Sequence, residues 1–111
     1  MNLEIKNCNS LFSRFMGMMF LKSSNKGYFF YRTSSIHTCF CNFNIDCVLL
    51  DKNNNVIDIV YDLKPWRFYF FKCYSILEFQ SGIINSIKKD DIMIWTPFLG
   101  QNRNEVFVWL K

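Results

Sequence analysis

The sequence has few of the residues that break or specialise a chain. Two prolines and four glycines occur in 111 residues, which leaves no Gly- or Pro-rich linker, no low-complexity tract and no internal repeat. No phosphate-cradling glycine loop, Gly-x-Ser-x-Gly elbow or dinucleotide fingerprint is present, so the common nucleotide-dependent and serine-hydrolase chemistries lack their motifs. The longest apolar run, FMGMMFL at 15–21, holds seven residues, far short of the roughly 20 that a membrane-spanning helix needs. The opening MNLEIKNCNS has no apolar stretch with a small-residue cleavage site, so no secretory leader is expected and the cytoplasm is the expected location. Charge of one sign is also missing as a block. Thirteen Lys and Arg against nine Asp and Glu give +4, but they are scattered, and Lys88-Lys89 runs straight into Asp90-Asp91. That pattern reads as a solvated surface, and nucleic acid is not the expected partner.

What is present is hydrophobic and aromatic. Half of the residues are hydrophobic, 19% are aromatic and thirteen are Phe, a composition that predicts a packed core and excludes disorder. The length fits a single domain over 1–111. Runs of β-branched and aromatic residues, separated by Asn, Ser, Lys and Gly clusters, predict a mainly β fold with strands near 2–6, 28–32, 36–42, 45–50, 56–62, 68–71, 73–79, 92–96 and 104–110. In VLLDKNNNVIDIV two apolar runs flank five turn formers at 51–55, which predicts a hairpin. Two short helices are expected at most, one after Ser10 as N-cap and one after Ser81.

One histidine and three cysteines crowd into eleven residues, His37, Cys39, Cys41 and Cys47, and thiolate and imidazole are the ligands that zinc prefers. On an extended strand, however, His37, Cys39 and Cys41 would lie about 6.6 Å apart in succession along one face, while every ligand must come within roughly 2.0–2.3 Å of one ion. No metal or cofactor is expected. The same spacing and the odd count of five cysteines favour reduced thiols over disulfides. Asp51, Asn53 and Asn55 imitate the start of a calcium loop, but Val56 stands where such a loop needs glycine. Arg14, Asp46 and Glu78 are charges lodged among apolar neighbours, and a buried charge needs a partner or neutralisation. With His37 they form either a structural ion-pair cluster, Arg14 with Asp46 first, or the lining of a polar pocket. LKPWRFYFFKCY at 63–74 interleaves Lys64, Arg67 and Lys72 with six aromatic rings; alternation assigns about half of those rings to the core.

RFMGMMF at 14–20, HTCFCNFNIDCVLLDKNNNVIDIVYDLKPWR at 37–67, ILEFQSG at 76–82 and IKKDD at 87–91 together resemble domain-of-unknown-function family 192. That family shows Arg-x-x-Gly-Leu-Met, His-Thr-x-Phe-Met-x-Phe-Pro-Ile-Asp, Phe-Leu-Asp, Leu-Glu-Leu-Pro-x-Gly and a final Gly-Asp in this order. The resemblance covers 14–91 and implies a compact jelly-roll-like β-barrel or sandwich, with matched polar positions at Arg14, His37, Asp46 and Glu78 and no assigned activity. Cys41, Asn44 and Phe79-Gln80 depart from the pattern, and Asp90 replaces a glycine. The stretch 96–111 lies outside the resemblance and reads as an added edge strand. The expected function is a small-ligand or protein-interaction β module. A hydrolase or lyase using His37 with the Asp46 or Glu78 carboxylate is the first alternative, and a single-stranded nucleic-acid binder the second.

Overall fold

Residues 2–8, 19–84, 87–97 and 105–110 are described in a computed structural model of the chain. Among the described residues nine strands follow one another: β1 (Asn2–Asn7), β2 (Gly27–Phe30), β3 (Ser35–His37), β4 (Ile45–Leu50), β5 (Val56–Leu63), β6 (Phe68–Phe70), β7 (Ser75–Gln80), β8 (Met93–Pro97) and β9 (Glu105–Leu110). Seven form a mixed sheet in the order β5-β4-β7-β2-β1-β9-β8, and β3 pairs with β6 as a separate ribbon. Only β1 and β2 run parallel; the other pairs are antiparallel.

The central strands explain this layering. In β4, IDCVLL, every residue is buried, and in β7, SILEFQ, all but the last. A strand apolar on both faces needs a cover on each side. One face packs Ile5, Phe29, Val48, Leu50, Val56, Leu77, Phe79, Ile84, Ile87 and Met93 into an inner core. The sheet curls around it until its two edges meet at a single bridge between Asn55 and Ile92, where the Val56 N–H donates to the Asp91 carbonyl at 2.7 Å. Among the described residues the two edges share this isolated bridge and no ladder, so the sheet is curled and no closed barrel is found there. The other face packs Tyr28, Phe30, Ile45, Cys47, Leu49 and Ile76 against Ile36 and Cys41, with Tyr69 and Phe71 behind them, so the β3–β6 ribbon is its lid. At Gly27, paired with Ile5, a side chain would run into Ile5 and Phe79.

The hairpin over 45–63 forms as the sequence predicts. The Asp51 N–H donates to the Asn55 carbonyl at 3.0 Å, and the Asp51 carboxylate accepts the Asn53 and Asn55 N–H groups at 2.8 and 2.9 Å. Hydrogen bonds from Asn55 hold that carboxyl below its usual range.

Four expectations change. The strand over 36–42 ends at His37, because Thr38 diverts its backbone into bonds with Arg67, Trp66 and Cys41 and the chain turns at 39–40. The extended spacing of His37, Cys39 and Cys41 therefore does not exist. After Ser81 the described residues form turns and irregular structure rather than a helix; the segment after Ser10 lies outside the described residues up to 18. No helix occurs among the described residues, and none is long and apolar enough to cross a membrane. The last strand is not an edge: β9 is inserted between β1 and β8.

Asp90, where the resembling family has glycine, keeps a left-handed backbone at φ 74°, held by its N–H donating to the Val56 carbonyl at 2.7 Å. Asp tolerates this region better than most residues but still carries a cost that Gly lacks. Asp90→Gly is expected to raise the unfolding free energy by up to about 1 kcal/mol, read as a higher urea midpoint at unchanged slope.

Candidate functional site

The β4–β7 register puts the two trapped carboxylates on opposite faces of the sheet. Asp46 is opposite Phe79, and Cys47 is opposite Glu78; Phe79 belongs to the inner core and Cys47 to the layer under the ribbon. Asp46 is 2% exposed. Its Oδ1 accepts the Asp62 N–H and the Ser81 hydroxyl, both at 2.9 Å, and its Oδ2 accepts the Gly82 N–H at 3.2 Å. The register of β4 against β5 shifts between Ile45 and Cys47, and Asp62 in the bulge has φ 58°. A bulge leaves a residue unpaired, and the Asp46 carboxylate takes up its N–H. The same group floors an open hollow of about 410 Å3 lined by Asp46, Tyr61, Asp62, Gly82 and Ile84. The lining offers oxygen acceptors but no imidazole or thiol.

Glu78, also buried, lies between Tyr28 and Cys47 in the register. Burial pushes its carboxyl up to about 8, so at neutral pH it is held mainly as the uncharged acid. Burial raises Cys41 to about 11, with Glu78 and Cys39 adding to it, and raises Cys47 well above the usual thiol value. Thiols in such surroundings are poor nucleophiles. No disulfide joins any of the five cysteines, and no group of three or more His, Cys, Asp or Glu among the described residues is placed to hold a metal ion.

His37 occupies a third surface. Ile36 packs inward from β3, while His37, the next residue, is partly exposed and faces Phe68 across the ribbon with ring centroids 6.4 Å apart. Its Nδ1 accepts the Cys39 N–H at 3.3 Å. The sheet and the ribbon thus separate Asp46, Glu78 and His37, and Arg14 lies outside the described residues.

What the ribbon does gather is aromatic. Phe68 and Phe70 point outward from β6 with 70% and 79% exposure, while Tyr69 and Phe71 pack inward. At the end of the ribbon Phe20, Phe40 and Trp66, all exposed, touch in series, tilted at 35° with ring centroids 5.1 Å apart for Phe20–Phe40 and edge-on at 4.6 Å for Phe40–Trp66. Each of the three has a left-handed backbone, φ 66°, 63° and 63°, a region costly for bulky residues. The Cys41 N–H donates to the Thr38 carbonyl at 3.2 Å, which makes Phe40 the third residue of a turn where glycine is the usual choice. Phe20 and Phe40 were not candidates from sequence; the signal for them is a supply of aromatic residues larger than the core uses.

Comparison with known proteins gives one family. The chain is 32% identical over 106 residues to a UPF0127 protein of Pyrococcus furiosus, covering 87% of this chain and 90% of that one. It is 34% identical over 94 residues to a UPF0127 protein of Pyrococcus horikoshii, covering 78% and 81%. No protein-family model matches the chain. Among solved structures, a protein of unknown function from Novosphingobium aromaticivorans superposes with a TM-score of 0.62 at 14% identity, over 95% of this chain and 74% of that one. At that identity the likeness concerns the fold alone.

Two outcomes follow from the separated carboxylates. Asp46→Asn keeps one oxygen but sets its amide N–H2 against an N–H donor, so it should cost about 2–3 kcal/mol; an unchanged denaturation midpoint would remove Asp46 from the bulge. Glu78 has an ordinary value of 4.5 and a folded value near 8. Between these the unfolded chain releases a proton that the folded one keeps, so stability falls as pH rises through this window. Glu78→Gln, uncharged throughout, should match the parent in urea below about pH 4.5, exceed it increasingly up to about pH 8, and keep a constant advantage above that.

Proposed function

The chain belongs to the UPF0127 family, an uncharacterised group, and on that premise we propose that it is a binding module whose working surface is the aromatic face of the β3–β6 ribbon. The ordered segments that resemble domain-of-unknown-function family 192 support treating the two groups as one, and the curled sheet with its Asn55–Ile92 bridge supports the barrel-like reading of that resemblance.

The observation that carries the proposal is the backbone at Phe20, Phe40 and Trp66. Three exposed aromatic residues in contact, each from a left-handed position, are a cost to folding without an evident return in the core, and strain of this kind collects where a surface is used. Exposed aromatic clusters are also the side chains most enriched at interfaces. Binding is favoured over acid–base catalysis because the imidazole of His37 and the carboxylates of Asp46 and Glu78 belong to three separate surfaces.

The test separates surface use from folding. The native protein should enhance the fluorescence of an anilinonaphthalene sulfonate probe at neutral pH, and Phe68→Ser with Phe70→Ser should remove most of that enhancement while moving stability by no more than about 0.5 kcal/mol. Phe40→Gly, which relieves the left-handed cost, should also weaken the probe signal and leave stability within about 1 kcal/mol of the parent. A large loss of stability in either variant would make the rings structural, and an unchanged signal would put the binding face elsewhere.

A further inference from the structure

We propose that this aromatic face binds single-stranded nucleic acid, an assignment that rests on the face being the working surface. The ribbon with its flanking loops, 31–44 and 64–74, and the segment 19–26 that adds Phe20 carry Lys22, Lys26, Arg32, Lys64, Arg67 and Lys72 and not one Asp or Glu. All nine acids lie elsewhere: Glu4, Asp46, Asp51, Asp58, Asp62, Glu78, Asp90, Asp91 and Glu105. Charge that is mixed along the whole chain is thus of one sign on these segments. Lys64 and Arg67, both exposed, flank Trp66, and exposed Lys22 follows two residues after Phe20, so cations stand beside the exposed rings.

Rings with interleaved cations match a polymer with flat bases and a phosphate on every unit: bases stack on the rings while the cations neutralise phosphates. A duplex hides the faces of its bases and is a poorer fit. An anionic membrane is also a poorer fit, because surfaces that enter lipid carry aliphatic groups as well. The exposed large hydrophobic side chains on these segments, Phe20, Tyr31, Phe40, Trp66, Phe68 and Phe70, are all aromatic, and exposed Ile92 belongs to the bridge with Asn55.

The experiment is fluorescence anisotropy of the full chain with a labelled oligodeoxythymidine and an oligouridine of about 15 nucleotides, near the upper site size of a small single-strand-binding domain. A duplex of equal length and phosphatidylserine vesicles serve as competitors. With about three phosphates neutralised, affinity should fall roughly 20-fold between about 50 and 200 mM salt. Phe68→Ser with Phe70→Ser should weaken binding at least tenfold, Lys64→Gln with Arg67→Gln should weaken it and flatten the salt dependence, and Tyr61→Ser, at the Asp46 hollow, should leave it unchanged. No binding of either strand at low salt overturns the assignment, as does equal binding of duplex and single strand with the Phe variant unaffected, or displacement of the strand by vesicles but not by unlabelled strand. If the fluorescent probe still binds and responds to the Phe68/Phe70 variant, the face remains a binding surface for another partner; if it does not, the face itself is lost as the site.

Discussion

The pairing of β4 with β7 is the constraint on which the rest of the molecule depends. Both strands are buried on both faces, so the sheet must curl around one apolar surface and carry a lid on the other. Because side chains alternate, register decides which residue meets which cover, and a slip of one residue would exchange the two sets. Asp46 secures that register from the strand end. Its carboxylate joins β4 to the β5 bulge through Asp62 and to the turn after β7 through Ser81 and Gly82. A residue that sequence reading marks as a candidate for chemistry is thus tied into the sheet by three neutral donors, which satisfies a buried carboxylate without requiring a cation.

Thr38 plays the equivalent part in the lid. It is fully buried, its N–H donates to the Arg67 carbonyl, and its carbonyl accepts the Trp66 and Cys41 N–H groups. Its hydroxyl donates to the Lys64 carbonyl at 2.7 Å and accepts the Arg67 N–H at 3.0 Å. The side chain and backbone of one residue therefore end β3, turn the chain at Phe40 and hold the approach to β6. The left-handed conformations at Phe40 and Trp66 persist because these bonds over-determine them, and the Phe20 N–H donating to the Phe40 carbonyl at 2.9 Å adds the third ring.

The strands were legible because β-branched and aromatic runs end at turn formers, and the 51–55 hairpin was legible because Asp and Asn cap their own backbone. The phase of β6 was not. In FYFF every residue is aromatic, so alternation states that half face inward without saying which half; the Tyr69 hydroxyl, bound to the Lys64 backbone at 2.9 and 3.1 Å, settles the matter in three dimensions. The end of β3 was hidden for a related reason. Cys-Phe-Cys alternates as a strand would, and only the tertiary bonds of Thr38 override that pattern. The grouping of Asp46, Glu78 and His37 rested on shared chemical character, and strand parity, which depends on register, distributes such residues without regard to it.

Charge shows the same gap between line and surface. Along the sequence, cations look scattered because acids recur between them, yet the acids fall in the strands of the large sheet, in the hairpin loop and in the approach to β8, while β3, β6 and the loops that flank them at 31–44 and 64–74 hold none. The informative quantity in the composition was therefore not the trapped charge. A core of this size uses Phe29, Phe30 and Phe79 and keeps Phe43 and Phe71 at its margin; Phe20, Phe40, Phe68 and Phe70 remain outside it. Exposed aromatic rings in excess of what packing consumes, on segments that carry cations and no acid of their own, are the feature that a reading of trapped charges passes over.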